Sequence, residues 1–464
     1  MAVDTPLAER TRSQSGTRVP YPAYKNSGVP WLGSVPAHWE VKPLKFVANV
    51  HTGLAKGRAL ASSETMEVPY LRVANVQDGY LDLSDVATIP ATLQEARQYA
   101  LQTGDVLMNE GGDFDKLGRG AVWEGQIDPC LHQNHVFAVR CGSMLEPAWL
   151  SLITSTPYAK HYFILNSKQS TNLASISSTN LKELSLLVPP AQERIAIRRY
   201  LERHTAKLDT LVAKKERLIA LLEEKRAATI SQAVTRGLDP TAPIKDSGVP
   251  WLGQVPAHWH VRRLKHLTSY VTSGSRGWAQ HYSDTGALFL RITNLSRVSI
   301  DLNLEDRQHV SPPAGSEGVR TQVASGDVLI SITAYIGSIA VVPEQIEEAY
   351  VNQHLALIRP CQEEVGSRWL AYALLSIPGQ QQFRMLLNGG TKDGLGLEDV
   401  RNLLVPLPPC GEQNAIVTRL DHEAAKIDAL ITKVHTHIDR LREYRAALIS
   451  AAVTGQIDVR EAAD

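Results

Sequence analysis

The sequence predicts a mixed α/β protein of the α+β kind, in which two variable domains are joined by two long coiled-coil helices. Three observations support this fold class. The chain of 464 residues contains an internal repeat, and residues 191–236 and 412–454 contain neither glycine nor proline. Short apolar runs bounded by turn residues fill most of the remainder, as is typical of strands. The length corresponds to two to four domains of roughly 100–200 residues.

The repeat has two matching frames and two diverged inserts. Residues 25–45 and 245–265 are identical at 16 of 21 positions, and residues 189–239 and 408–458 at 23 of 51. Between these frames the matches are sparse. Such an arrangement indicates two domains held in the same way by the repeated frame, each of which recognises a different target.

The repeat divides the chain into five parts. We expect a disordered tail (1–23), a first anchor with its variable domain (24–188), a first spacer helix (189–240), a second anchor with its variable domain (241–407) and a second spacer helix (408–464). Within the variable domains the pattern predicts helices over 147–162 and 367–387. It predicts strands over 68–74, 105–108, 121–124, 135–139, 287–292, 327–332, 338–342 and 354–358.

A heptad pattern predicts how the long helices pack. Inner positions that alternate in steps of four and three are expected at 197, 201, 204, 208, 211, 215, 218 and 222, and at 416, 420, 423, 427, 430, 434, 437, 441, 444 and 448. A two-helix seam needs only these positions. The neighbouring positions are apolar too, so they form candidate partner-binding residues: Val212, Ile219, Ile431 and Ile438.

Charge and cysteine content limit the function classes. The 48 basic residues balance the 48 acidic ones, which argues against non-specific nucleic-acid binding, although the connector 187–265 is basic. The four cysteines include no CxxC pair, so we expect no zinc site or disulfide framework, and a reducing compartment fits. We expect no signal peptide and no membrane span.

The absence of known catalytic motifs predicts a chain that catalyses no reaction by itself. The sequence contains no GxxxxGK[ST], GxSxG, HExxH or GxGxxG, and no Asn-Pro-Pro-aromatic tetrapeptide of an adenine-N6 methyltransferase. We therefore expect no catalytic residue, no bound metal and no bound cofactor.

Polar loops recur at matching places in both variable domains. Asn and Gln can pair bidentately with adenine, and Arg or Lys with guanine or phosphate. The candidate DNA-binding residues are Lys116, Arg119, Gln133, Asn134, Lys168, Gln169, Thr171, Tyr335, Asn352, Gln353, Asn388 and Lys392, with Arg198 and Arg199 on the first helix.

Beyond residue 23 the chain resembles the specificity (S) subunit of type I restriction–modification systems. The resemblance rests on the duplicated anchor SGVPWLGxVPAHW, on PPAQERIAIRRYLERHTAKLDTLVAKKERLIALLEEKR, and on the loop LMNEGGDFDKLGRGAVW followed by HQNHVF. One departure is that PPCGEQ in the second half stands against PPAQER in the first, so that Gln413 corresponds to Arg194.

The resemblance implies a non-catalytic, cytoplasmic DNA-reading subunit of a bacterium or archaeon. Each variable domain would be a target-recognition domain for one half of a bipartite double-stranded site. The two helices would lie antiparallel as a spacer within a pseudo-two-fold repeat. Two methyltransferase (M) subunits, using S-adenosylmethionine, and two restriction (R) subunits, using ATP and Mg²⁺, would join the complex. The alternative is a coiled-coil scaffold without DNA specificity.

Overall fold

The computed structural model describes residues 19–58, 64–114, 116–169, 173–312, 316–388 and 394–460. The chain divides into two compact units. Unit 1 comprises Met1–Ala213 with His437–Asp464, and unit 2 comprises Lys214–Thr436. Each long helix therefore contributes one part to each unit.

Unit 1 contains short strands around one main sheet. Its strands are β1 Tyr24–Asn26, β2 Ser34–Pro36, β3 Glu40–Pro43, β4 Ala48–Thr52, β5 Met66–Leu71, β6 Ala87–Ala91, β7 Asp105–Asn109, β8 Gly111–Gly112, β9 Gly120–Val122, β10 Leu131–His132, β11 Val136–Cys141, β12 Lys168–Gln169, β13 Ala174–Ser175 and β14 Ser185–Val188. Its helices are α1 Leu93–Gln98, α2 Pro147–Thr154, α3 Pro157–Leu165 and α4 Ser178–Lys182, followed by the long helix α5 Ala191–Arg236.

Unit 2 repeats this order. Its strands are β15 Ile244–Asp246, β16 Gln254–Pro256, β17 His260–Arg263, β18 Thr268–Ser273, β19 Tyr282–Ser283, β20 Ala287–Leu290, β21 His309–Val310, β22 Val328–Ser331, β23 Ile339–Val341, β24 Ala349–Val351, β25 Leu355–Pro360 and β26 Leu404–Leu407. Its helices are α6 Ser316–Thr321, α7 Ser367–Leu375, α8 Ile377–Asn388 and α9 Leu397–Arg401, followed by the long helix α10 Cys410–Val453.

The main sheet has the same topology in both units. It is antiparallel, with order β4-β11-β7-β9 in unit 1 and β18-β25-β22-β23 in unit 2. Its central strands are apolar on both faces: Val106 and Met108 pack into one core, and Leu107 into another. This double burial explains why the strands appear in the sequence as continuous apolar runs, and the mixed α/β expectation is confirmed.

The anchor segments fix the ends of the long helices to the domains. In unit 1 the buried carboxylate of Glu193, at the start of α5, accepts a hydrogen bond from Trp39 Nε1 at 2.9 Å and lies 2.7 Å from His38 Nε2. Gly455, just after α10, lies against Trp39 and Pro36. The first part of α5 and the last part of α10 are thus antiparallel within unit 1.

Unit 2 holds its helix ends in a similar way, except that the buried Trp259 Nε1 has no hydrogen-bond partner among the described residues. Glu412, near the start of α10, lies 2.7 Å from His258 Nε2, and Gly237 at the end of α5 contacts Trp259. Each unit also contains one ion pair between the two helices: Arg445 Nε lies 2.9 Å from Asp209 in unit 1, and Arg226 binds Asp428 in unit 2. Because both pairs occupy equivalent positions of the repeat, they indicate one register of the antiparallel helices.

The predicted heptad register is confirmed at some inner positions and wrong at others. Ile427 and Val434, near the middle of α10, are buried as predicted, at 5% and 8% exposure. The supposed inner residues Leu211, Leu218, Leu430 and Tyr444 are between 42% and 48% exposed. The supposed spare residues Val212, Ile219 and Ile431 are half-buried, and Ile438 is only 3% exposed. Ile438 therefore belongs to the buried side of α10, and partner binding by the other three residues stays a prediction. Arg226 is also buried, at 6% exposure, and it pairs with Asp428 of the other helix.

Other sequence predictions differ in detail. The helices expected over 147–162 and 367–387 are each two helices. Pro157 begins a new helix capped by Thr156, and the buried Ser376 hydroxyl accepts a hydrogen bond from Gly379 N in the first turn of α8. The tail prediction is wrong for 19–23, since Tyr21 is 3% exposed and packs against Trp39 at 5.7 Å between ring centroids. Residues 1–18 lie outside the described residues.

Candidate nucleic-acid interface

The two amide pairs predicted from the sequence lie at equivalent places in the units. Gln133 N donates to Leu71 O at 2.9 Å at the end of β5, and Asn352 N donates to Leu290 O at 3.0 Å at the end of β20. Both Gln133 and Asn352 are half-buried. Each pair is therefore fixed at the backbone while its side chains vary between the units.

One arginine follows each of these strands. The backbone N of Arg72 donates to Asn75 Oδ1 at 2.8 Å, and its Nη2 donates to Asp85 at 2.8 Å. Arg291 makes the same two bonds, to Asn294 and Asp306, each at 2.8 Å. The two aspartates are 85% and 63% exposed, so these ion pairs lie at the surface and contribute little to stability.

Such a surface guanidinium can exchange its carboxylate partner for a phosphate. Arg72 and Arg291 were missed as site residues in the sequence. The available signal was the match of Leu71-Arg72 and Asn75 with Leu290-Arg291 and Asn294 between the diverged inserts.

A cleft of about 590 Å³ collects several predicted residues of unit 1. Strands β12, β13 and β8 form a small sheet that joins residues 168–169 and 174–175 to residues 111–112. Gln133, Lys168 and Gln169 line the cleft together with His135, whose Nδ1 lies 3.2 Å from Glu110 Oε2. The cleft therefore combines an amide, a lysine and a histidine at one surface.

Lys116 and Arg119 are not among the lining residues of this cleft. Lys116 pairs with Asp113, and Arg119 Nη1 donates to Gln77 Oε1 at 2.9 Å. Asn134 is half-buried beside Gln133, outside that lining. Thr171 lies outside the described residues.

Unit 2 brings a different set of side chains to the equivalent position. Asn352 Oδ1 accepts a hydrogen bond from His354 N at 3.1 Å, and Gln353 Nε2 lies 3.2 Å from His354 Nε2. His354 Nδ1 lies 2.9 Å from Thr333 Oγ1 in the loop between β22 and β23. The Asn388 side chain and the whole of Lys392 lie outside the described part of the chain.

Tyr335 is an exposed residue of this loop. The residue is 72% exposed, and its φ of 49° is the only positive value outside glycine within the described ranges. The hydroxyls of the buried Ser331 and Ser338 both donate to Tyr335 O, at 2.5 and 2.8 Å. A left-handed backbone at a non-glycine residue costs about 1–2 kcal/mol, so these bonds hold a conformation that the residue does not favour.

Buried ion pairs stabilise the sheet behind each site. Asp105 and Asp327 are each 1% exposed, and each binds the guanidinium of the facing strand, Arg140 or Arg359, through two bonds of 2.7–2.8 Å. The hydrogen bonds to these carboxylates raise the pKa of both arginines. Hence the two pairs hold the sheet in a fixed geometry beneath the variable loops.

The two candidate DNA-binding arginines on α5 differ in their contacts. Arg198 Nη1 donates to Glu202 at 3.0 Å, a spacing of one helical turn, whereas Arg199 is exposed. Across the residues that the structure describes, no group of three His, Cys, Asp or Glu side chains is placed to hold a metal. No helix in the same ranges is long and apolar enough to cross a membrane.

The fold and the site define a class of protein with two homologous recognition units on shared antiparallel helices. The family model described as the type I restriction modification DNA specificity domain matches residues 36–220 and 320–439, which is more than half of the chain. The protein belongs to this family.

Two relatives match this chain over nearly its whole length. The protein is 24% identical over 433 residues to the putative type I restriction enzyme MjaX specificity subunit of Methanocaldococcus jannaschii, covering 92% of this chain and 96% of that protein. It is 23% identical over 441 residues to the EcoBI specificity subunit of Escherichia coli, covering 92% and 88%.

A solved chain from work on complex assembly and conformational transition of the type I R-M system aligns with a TM-score of 0.62. It is 19% identical and covers 91% of this chain and 99% of that one. At this identity the likeness concerns the fold.

Proposed function

We propose that this protein is the DNA-reading subunit of a type I restriction–modification complex, and that each unit reads one half of a bipartite site through the major groove. One observation carries this proposal. Both units place an arginine, an amide pair and a histidine on the same backbone frame, but the side chains around them differ. A shared frame with different polar groups suits two readers of different base sequences.

The net charge of the chain supports DNA binding that is shared with partner subunits. The net charge is zero, whereas tight duplex binding by a single chain usually requires a basic excess. We infer that partner subunits neutralise part of the phosphate charge. The proposed partners are two M subunits and two R subunits. The chain itself would bind neither S-adenosylmethionine nor ATP and would catalyse no reaction, and it would act on cellular DNA in the cytoplasm.

The exposed leucines of the long helices are the proposed docking surface for the M subunits. Leu211, Leu218 and Leu221 lie on one face of α5, and each is 42–45% exposed. On α10, Leu430 and Tyr444 are 48% and 46% exposed, and Leu430 is the repeat equivalent of Leu211. Apolar side chains of this size at seven-residue spacing are favoured at helix interfaces. Partner binding by Val212, Ile219 and Ile431 stays a second prediction, whereas Ile438 is buried at 3% exposure.

The decisive experiment first sequences the methylome of a host that expresses this chain with its M partner. The motif found is then used in gel shifts with the chain alone, the partner alone and the complex. We expect a split motif and specific binding by the complex. Assembly with the partner in the absence of any sequence preference would instead favour a scaffold.

Modularity gives a second test. Replacing residues 46–186 with the corresponding insert of another family member should change one half of the methylated motif and leave the other half and the gap unchanged. The same exchange of residues 266–407 is the matched control and should change the opposite half. If either exchange altered both halves, the two-reader proposal would be wrong.

A further inference from the structure

A glycine lies against the backbone of the amide pair in each unit. Gly53 follows β4 and Gly274 follows β18, and a Cβ atom on either residue would lie 2.0–2.1 Å from a backbone carbonyl oxygen. In unit 1 this oxygen belongs to His132, and the carbonyl oxygen of Gln133 would be 2.5 Å away. In unit 2 the oxygen at 2.0 Å is that of Asn352 itself. A side chain larger than a hydrogen atom does not fit at either position.

The two glycines occupy one position of the repeat. The residue before each glycine ends the outer strand of the main sheet, β4 in unit 1 and β18 in unit 2. The residue after each glycine forms a parallel bridge with the first residue of the amide pair, Leu54 with Gln133 and Ser275 with Asn352. A register shift within 268–270 of β18 places Gly274 one residue later than an ungapped comparison of the repeats would.

The amide pair is held between two backbone segments. In unit 1, Gln133 N donates to Leu71 O at 2.9 Å on one side, and Leu54 N donates to His132 O at 2.8 Å on the other. The equivalent bonds of unit 2 are both 3.0 Å long. Because glycine has no side chain, its strand approaches the amide pair closely enough to form the second of these bonds.

We propose that Gly53 and Gly274 are positioning residues for base recognition, and that each fixes the amide pair from which Gln133 or Asn352 contacts the bases of one half-site. The inference rests on the proposed DNA-reading function. Bidentate contacts of an amide with a base require bonds of about 2.7–3.2 Å, and a recognition site must be held to within about 0.5 Å. With a methyl group in place of the glycine hydrogen, the contact of 2.1 Å in unit 1 must widen to at least 3.0 Å, which exceeds this tolerance.

A second glycine on the same strands provides a control for a general effect on the sheet. Gly142 follows β11, and a Cβ there would lie 3.2 Å from the carbonyl oxygen of Val47, which precedes β4. Since β4 and β11 are antiparallel, this contact lies at the end of the strands away from the amide pair. Substitution of Gly142 therefore disturbs the same two strands without displacing the recognition residues.

The test uses the complex with its M partner and duplexes that carry the motif found in the methylome, with the base pairs of each half-site exchanged one at a time. The measured quantity is the ratio of the affinities for the cognate and the exchanged duplex. We expect Gly53→Ala to lower this ratio about tenfold or more in one half-site, and Gly274→Ala to do so in the other, because a bidentate base contact is lost. Binding to unrelated DNA should be unchanged, since phosphate contacts carry no sequence information.

Two control variants should keep the wild-type ratio in both half-sites. Gly57→Ala adds the same methyl group four residues later, where a Cβ meets no atom within 4 Å. Gly142→Ala disturbs the far end of the strands. If Gly142→Ala lowered the ratio as much as Gly53→Ala, the glycines would serve only the stability of the sheet, and the proposal would be wrong.

Tyr70→Phe tests the same contact without a steric clash. The Tyr70 hydroxyl donates to Leu54 O at 2.5 Å, so its removal loosens the backbone next to Gly53 and leaves the ring in the core. We expect a loss below about tenfold, confined to the half-site that Gly53→Ala affects. This variant decides the outcome if Gly53→Ala does not fold.

Wild-type discrimination in both half-sites by Gly53→Ala, or by Tyr70→Phe where the former does not fold, would overturn the proposal. Loss of discrimination in both half-sites by a single substitution would also contradict it. Failure of the proposed DNA-reading function would look different, because the wild-type complex would then prefer no sequence.

Discussion

Asp105 and Asp327 show how one residue stabilises a recognition unit from below its variable surface. Each carboxylate is buried, binds the guanidinium of the facing strand, and accepts a backbone N–H three residues earlier, from Gln102 at 2.8 Å or Ala324 at 2.7 Å. Because every oxygen is bonded, the buried charge is compensated. Removing it would leave a guanidinium and an amide without their acceptor.

We predict that Asp327→Ala lowers the free energy of unfolding by about 3 kcal/mol, since several charge-assisted bonds are lost together. Urea denaturation monitored by circular dichroism measures the change. Asp306→Ala is the control: it removes the exposed partner of Arg291 and should cost less than about 1 kcal/mol. Equal losses of unfolding free energy in the two variants would show that burial does not increase the contribution of Asp327 to stability.

At the scale of elements, the long helices carry both buried and exposed apolar residues. Ile438 is 3% exposed within the helix packing, whereas Leu211 and Leu218 are more than 40% exposed. An aspartate in place of a buried isoleucine must be desolvated without a partner. An aspartate in place of an exposed leucine remains solvated, and it is unfavourable only where another protein covers it.

We therefore predict opposite outcomes for two matched variants. Leu211→Asp with Leu218→Asp should keep the thermal midpoint within a few degrees and lose co-elution with the M subunit. Ile438→Asp should destabilise the chain by about 3 kcal/mol or more. Thermal denaturation and size-exclusion chromatography with the partner distinguish these effects. A doubly substituted variant that still co-elutes would exclude the leucine face as the docking surface.

The sequence alone was sufficient for the repeat, the fold class and the bounds of the two long helices. Helix α10 begins within two residues of the predicted start because the proline pair at 408–409 marks it directly. The exposure of Leu218 and the burial of Arg226 were not predictable, because side-chain polarity favours the opposite arrangement. The Arg226 guanidinium binds Asp428, 202 positions away, and donates to Val298 O at 3.2 Å, and neither contact is visible in the local sequence.

The same limit applies to the site. Gln133, Lys168 and Gln169 were predicted from their polar loops and lie together in the cleft. Arg72 was missed, because its relation to Gln133 depends on β5 pairing with β10 in parallel. Pairing between distant segments is not visible in local sequence patterns.

At the scale of the whole molecule, the long helices are the candidate ruler between the two readers. Helix α5 has 46 residues and α10 has 44, and each runs through both compact units. The unit boundaries fall at Ala213 and Thr436, near the middle of each helix. A change of length near these boundaries therefore alters the connection between the units without touching either recognition surface.

We predict that seven residues added to both helices, after Glu216 and after His435, widen the unread gap of the DNA motif by about three base pairs. Seven residues keep the helix faces in register and add about 10 Å, and each base pair of DNA spans about 3.4 Å. Both helices must be lengthened, because the interhelical pairs in the two units fix their register. A two-residue insertion at the same positions is the control and should abolish assembly, since it rotates the seam by about half a turn. Methylome sequencing reports the gap directly. An extended variant that assembles, methylates and keeps the original gap would show that the helices do not set the spacing.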